Sequence, residues 1–174
     1  VLDMCCGSGA IAVSMAKALP KADVTACDCS EEALETAKRN AVKNGVEKHV
    51  DFKKTDMFEI EKRGKVTHIK GKFDMIISNP PYIPRAVIDT LQPEVRDHEP
   101  MLALDGGDDG LDFYRIIARD ACGHMKKRGM LIMEIGHDQG EAVTGLLRDM
   151  CAYADIEVHK DLAGHDRIVS CTLA

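Results

Sequence analysis

Short apolar runs alternate with helical stretches along almost the whole chain, and this alternation constrains the fold more than any other feature. Residues 1–4 are apolar and break into Cys5-Cys6-Gly7-Ser8-Gly9; residues 10–19 follow, small and apolar, and stop at Pro20. Residues 24–27 read as a second strand. Ser30 reads as an N-cap before Glu31 and Glu32, with Ala33, Leu34, Ala37 and Ala41 at helical spacing and Asn44-Gly45 as the stop. Residues 50–53 read as a weaker strand and Phe73–Ser78 as a strong one, while residues 130–135 form the continuous apolar run of a buried parallel strand. Residues 111–125 read as a helix with Phe113, Ile117 and Ala121 on one face. Ala142, Val143, Leu146, Leu147 and Met150 mark another helix. Residues 156–160 and 168–173 read as a closing hairpin around Gly164. The expected fold is α/β: a mostly parallel sheet covered on both faces, with an antiparallel strand at the C-terminal end. The lysine-rich stretch 59–72 reads as a solvated connection, and 84–110 as an irregular insertion beside the site.

Composition narrows the class. The 174 residues, 45% hydrophobic, suffice for one domain with a sizeable core, and the net charge of −6 argues against binding nucleic acid through bulk charge. No apolar run approaches the roughly 18–20 residues of a membrane span. The seven cysteines, at 5, 6, 27, 29, 122, 151 and 171, contain no Cys-x-x-Cys pair, so they read as free thiols in a reducing cytosol, mostly buried, with no metal site. His98, His124, His137, His159 and His165 lack metal-ligand spacing and read as surface or loop residues. The chain opens directly on a strand without an initiator Met, which suggests a segment of a longer protein.

Two constellations carry chemistry. The first, Asp3 through Gly9, joins a strand to a helix. Its glycines allow close backbone approach to a ligand, and Gly7-x-Gly9-x-x-Ala12 fits a dinucleotide-type pattern, with Asp28 at the end of the second strand to accept from ribose hydroxyls. NAD and S-adenosylmethionine (AdoMet) both suit this arrangement. The second, Ser78-Asn79-Pro80-Pro81-Tyr82, follows a buried strand at the sheet's carboxyl edge. Two prolines stiffen the loop and leave carbonyl acceptors, Asn79 adds another acceptor, and Tyr82 adds a flat ring. Acceptors beside a ring suit a planar NH2 group, whether an amide or a nucleobase amine.

Asn79-Pro80-Pro81-Tyr82, on a fold opening Asp3-x-x-x-Gly7-x-Gly9, resembles the class I AdoMet-dependent amino-methyltransferases. With Ile83-Pro84, Glu99-Pro100-x-x-Ala103-Leu104, Gly106-Gly107-x-x-Gly110-Leu111 and Glu134-Ile135-Gly136-x-x-Gln139-Gly140, the chain resembles the HemK/PrmC family from end to end. These are protein-(glutamine-N5) methyltransferases acting on the Gly-Gly-Gln loop of peptide chain release factors. The resemblance implies a class I, Rossmann-like methyltransferase sheet over residues 1–174, with a substrate-docking domain upstream of them. It implies that AdoMet is the cofactor and S-adenosylhomocysteine the product. Cys5, Cys6, Gly7, Ser8 and Gly9 would wrap the methionine moiety, Asp3 would orient that loop, and Asp28 would take the ribose. Asp56 would accept from the adenine amine with Met57 against the ring. Asn79, Pro80, Pro81 and Tyr82 would hold the glutamine, with Asn79 also touching the cofactor and Asn79, Pro80 and Tyr82 serving the reaction. The family's first loop glycine is Cys5 here. A side chain there asks for an unstrained φ, so a slightly altered loop is expected. The expected enzyme is a cytoplasmic monomer with no direct nucleic-acid or membrane partner. The rival readings are a nucleic-acid amino-methyltransferase sharing the Asn-Pro-Pro-Tyr motif, a NAD-linked oxidoreductase, and a non-catalytic binding module.

Overall fold

The computed structural model describes residues 1–62 and 65–174. Seven strands form one sheet: β1 Leu2–Met4, β2 Val24–Asp28, β3 Val50–Lys54, β6 Phe73–Ser78, β7 Met125–Glu134, β8 Tyr153–Lys160 and β9 Asp166–Leu173. Two more, β4 Glu59–Lys62 and β5 Lys65–His68, pair only with each other. The sheet order is β3-β2-β1-β6-β7-β9-β8. Pairing is parallel from β3 to β7, and β9 runs antiparallel to both its neighbours. The α/β reading and its antiparallel strand are borne out.

Helices α1 Ala10–Ala18 and α2 Glu31–Lys43 make the crossovers among β1, β2 and β3. Their small residues Ala12, Ala16, Ala37 and Ala41 are buried with Val24, Ala26 and Val50. Ser30 caps α2 as expected, its Oγ accepting the Ala33 N–H at 3.2 Å. After β6 come three one-turn helices, α3 Arg85–Ile88, α4 Pro93–Arg96 and α5 Met101–Leu104, which give the 84–110 insertion local order. Then α6 Asp112–Asp120 and α7 Gly140–Asp149 flank β7. Tyr114, Ile117, Val143 and Leu147 are buried with Leu2, Ile76, Leu131 and Val169 in the larger core cluster. No described helix is long and apolar enough to cross a membrane.

Four readings change. The 111–125 helix ends at Asp120 and gives way to a 3-10 turn over Ala121–His124, which holds the helix-breaking Gly123 and brings His124 to stack on Phe58 with ring centroids 4.8 Å apart. His124 is therefore half-buried, and burial lowers its pKa, whereas His98, His137, His159 and His165 are exposed. Within 59–72 the chain forms the β4–β5 hairpin, tied down where Ile69 N–H donates to the Phe58 carbonyl at 2.8 Å; Arg63 and Gly64 of that stretch lie outside the described residues. Cys6, Cys27 and Cys171 are buried, Cys5 and Cys122 half-buried, and Cys29 and Cys151 exposed, all as free thiols.

Candidate active site

Strand order reverses at β1: the chain winds outward one way through β2 and β3 and the other way through β6 and β7. Open α/β sheets bind ligands outside the carboxyl ends of strands at such a point. The loops after β1, β2, β3 and β6 meet there.

The loop after β1 is held from below and from both sides. Beneath it Asp3 is fully buried; its Oδ2 accepts the Ala12 N–H at 2.8 Å, and its Oδ1 has no hydrogen-bond partner among the described residues. Burial pushes this carboxyl from 3.8 up to about 7. Cys6 N–H donates to the Cys27 carbonyl at 2.9 Å, and Asn40 Nδ2 donates to the Ser8 carbonyl at 2.9 Å. Gly9, at φ 77°, starts α1 so close to α2 that a Cβ would lie 2.8 Å from that of Ala37. Gly7, at φ 52°, has open space where its Cβ would be. Cys5 sits at φ 57°, which corrects the expectation of an unstrained residue: the loop keeps the left-handed turn of a glycine and the cysteine bears it. Burial pushes the Cys5 thiol up to about 12, so it stays protonated and is no nucleophile at neutral pH.

Asp28 braces this loop against α2. Its Oδ2 accepts the Gly7 N–H at 2.8 Å and its Oδ1 accepts the Ser30 N–H at 2.9 Å. After β3, Asp56 is exposed while Met57 is buried at φ 49°. After β6, Ser78 Oγ donates to the Met4 carbonyl at 3.0 Å, locking the ends of β1 and β6 together. Asn79 then projects into solvent, Pro80 and Pro81 are buried, and Tyr82 is half-buried. Burial, and then the facing Glu134 carboxylate, raise the Tyr82 pKa. Glu134, at the end of β7, thus stands against this loop.

These loops enclose a cavity of about 370 Å3, within the roughly 300–1,000 Å3 usual for small-molecule sites. Cys5, Gly7, Ser8, Asp28, Asp56, Met57, Asn79 and Pro81 line it. Asp3, Cys6, Gly9, Pro80 and Tyr82 stand outside that lining. Sequence reasoning missed Ser30, Ala33 and Thr36 on α2, Glu99, Pro100, Leu102 and Ala103 on the insertion, and Phe113 on α6. Phe113 corrects the expected face of α6: the fully buried residues there are Tyr114 and Ile117, with Ala121 just past its end, and Phe113 is half-buried and borders the cavity. Carboxylates at two points and an apolar wall between them suit a ligand with a flat body and separate donor groups. Among the described residues no cluster of three His, Cys, Asp or Glu could hold a metal.

Comparison with known proteins agrees with this architecture. The model of the methyltransferase small domain matches residues 1–95. The release factor glutamine methyltransferase of Thermosynechococcus vestitus is 43% identical over 168 residues, covering 97% of this chain and 56% of that protein. Its namesake in Moorella thermoacetica is 45% identical over 175 residues, covering 100% and 58%. The chain thus spans little more than half the length of these curated relatives. Among solved structures, a methyltransferase from Pyrococcus furiosus aligns with a TM-score of 0.63 at 20% identity, over 99% of this chain and 73% of the other. TrmN from Thermus thermophilus aligns at 0.66 and 20% identity, over 99% and 43%. The structural likeness carries the fold alone, but the family match runs from β1 through Asn79–Tyr82 into the insertion, as far as residue 95. On that match, the chain belongs to the methyltransferase small domain family.

Proposed function

We propose that residues 1–174 form the catalytic unit of an AdoMet-dependent enzyme that methylates the side-chain amide nitrogen of the glutamine in the Gly-Gly-Gln loop of peptide chain release factors. One observation carries the reading. Asn79-Pro80-Pro81-Tyr82 leaves the sheet beside the loop after β1, with Ser78 bonded to Met4, and Asn79 borders the same cavity as Gly7 and Asp28. The names of the relatives supply the substrate. A nucleobase amine is the weaker reading, since these relatives share nearly the whole chain at 43–45% identity. In this proposal the enzyme is a cytoplasmic monomer, and docking of an intact release factor belongs to a further domain, as the greater length of the relatives suggests.

The residues present fit AdoMet. The open face of Gly7 admits a ligand against backbone, Asp28 and Asp56 can accept from ribose hydroxyls and an adenine amine, and Met57 and Phe113 offer apolar contact. Residues 5–9 would hold the methionine moiety, with Asp3 supporting them from beneath. When bound, AdoMet supplies an electrophilic methyl group on a sulfonium, so no metal is needed. The amide nitrogen is a poor nucleophile because its lone pair is delocalised into the carbonyl. Asn79 Oδ1 and the Pro80 carbonyl would accept its two N–H bonds, hold it in line and favour pyramidalisation, a positioning and electrostatic effect worth several kcal/mol. Pro81 keeps the loop stiff and Tyr82 packs on the flat amide. No strong base is needed beforehand, because the proton becomes acidic only after transfer.

The test is a transfer assay with labelled AdoMet on a release factor, a Gly-Gly-Gln peptide, tRNA, rRNA and DNA. Label on the glutamine of the peptide and the release factor is expected. Label on nucleic acid alone would overturn the reading.

A further inference from the structure

Gln139 lies just before α7, outside the cavity lining, and only 8% of it is exposed. A buried carboxamide must find partners for its donors and its acceptor. Gln139 finds them on three different segments. Its Nε2 donates to the Tyr82 carbonyl at 2.9 Å and to the Gly110 carbonyl at 3.2 Å. Its Oε1 accepts the Gly136 N–H at 2.9 Å. One side chain therefore fastens the end of the Asn-Pro-Pro-Tyr segment to the glycine-rich turn of the insertion and to the turn after β7.

The surroundings are built for that fastening. A Cβ on Gly110 would collide with the Tyr82 carbonyl oxygen and with Gln139 Nε2, and one on Gly106 would lie 2.7 Å from the Tyr82 Cα. Ile83 N–H donates to the Leu104 carbonyl at 3.0 Å and Gly106 N–H to the Ile83 carbonyl at 2.9 Å, so the chain beyond Tyr82 is fixed as well. On the other side Ser78 is fixed to Met4. Between these anchors lie only the four residues proposed to hold the substrate amide.

We propose that Gln139 is a positioning residue, setting the place of Tyr82 and the acceptors before it by holding the Tyr82 carbonyl; this rests on the amide-methylation reading above. Among the described residues the side-chain hydrogen bonds of Gln139 reach none of the loops after β1, β2 or β3, so its effect falls on the amide acceptor side rather than on cofactor affinity.

The experiment compares wild type with Gln139→Met, which keeps the shape and loses the polar contacts, and Gln139→Glu, which loses both donors and sets a carboxylate against two carbonyls. Tyr153→Phe serves as the stability control, because it removes one buried bond, to the Ala118 carbonyl at 2.8 Å, far from the motif. The readouts are kcat and KM for methyl transfer to a Gly-Gly-Gln peptide, AdoMet affinity by calorimetry, and Tm. Both Gln139 variants should lose about 10²-fold in kcat, the scale of a misplacement near 1 Å, with AdoMet affinity as in wild type. The control should lose Tm without that loss of kcat. A folded Gln139→Met with wild-type kcat overturns the proposal, and so does a parallel fall of kcat and AdoMet affinity. If both variants fail to fold while the control folds, Gln139 serves stability alone and the proposal fails. A wild-type chain that never methylates the peptide sinks the functional reading, and the inference with it.

Discussion

Cys5 Sγ lies 3.8 Å from Met57 Sδ, and both residues hold left-handed backbone, at φ 57° and 49°. Two strained turns, one after β1 and one after β3, thus meet through their sulfur atoms on the cavity wall. A non-glycine residue in this region costs roughly 1–2 kcal/mol. The thiol–thioether contact offsets a part of that at Cys5.

Cys5→Gly removes the strain and the contact together, and it also enlarges the freedom of the unfolded chain. The net expectation is a gain of up to about 1 kcal/mol in unfolding free energy, read from urea denaturation midpoints. A clear loss of stability would mean that the sulfur contact outweighs the backbone cost.

Asn79→Ala should leave the fold intact, since this side chain is exposed. Losing one preorganised acceptor should reduce the methyl-transfer rate by about 10²–10³-fold, with a smaller effect on AdoMet binding. Near-normal labelling of the Gly-Gly-Gln glutamine would remove Asn79 from the proposed mechanism.

Asp28 carries two backbone N–H bonds besides its proposed ribose contact. Asp28→Ala should therefore weaken AdoMet binding and also lower stability, by about 1.5–3 kcal/mol per lost bond to a charged group. Calorimetry and denaturation of the same variant separate the two effects. Unchanged AdoMet affinity would place the ribose elsewhere.

Asp3 gives the protein a pH dependence of known sign. Its carboxyl titrates at about 7 in the folded chain against an ordinary 3.8, so the native state binds more protons than the unfolded state between those values. Stability contributed by this group is accordingly greatest at low pH and is lost as pH rises from about 4 to about 7, by up to about 4 kcal/mol. In Asp3→Asn that slope should flatten relative to wild type in denaturation curves taken across the window. An identical slope in both proteins would exclude Asp3 as its source.

Much of this architecture could be read in the sequence because the local signals agree with the tertiary structure. The Ser30 cap, the small apolar α1, the apolar β6 and the motif after it stand where their patterns put them. The features that escaped are decided at long range. α6 ends three residues before Gly123, a stop signal inside 111–125, and His124 beyond it stacks on Phe58, far away in sequence, a contact that no local pattern displays. The β4–β5 hairpin pairs only with itself, and its lysines mask the alternation of Ile60 and Val66 with polar neighbours. At the site, motifs located the four loops but not the wall opposite, because α2 and the insertion reach the cavity through packing. The tie from Gln139 to the Tyr82 carbonyl spans 57 residues and involves a backbone acceptor that no sequence pattern displays.

The place of β9 also makes the end of the sheet depend on a single strand. It lies between β7 and β8, bonded to both, although it follows both in sequence. Without Asp166–Leu173, the strand that ends in Glu134 would carry a bare row of N–H and C=O groups on one side, and the strand from Tyr153 to Lys160 would have no strand partner among the described residues. β8 therefore joins the sheet only through β9, and a substitution that frees β9 from β7 would release both strands as one hairpin.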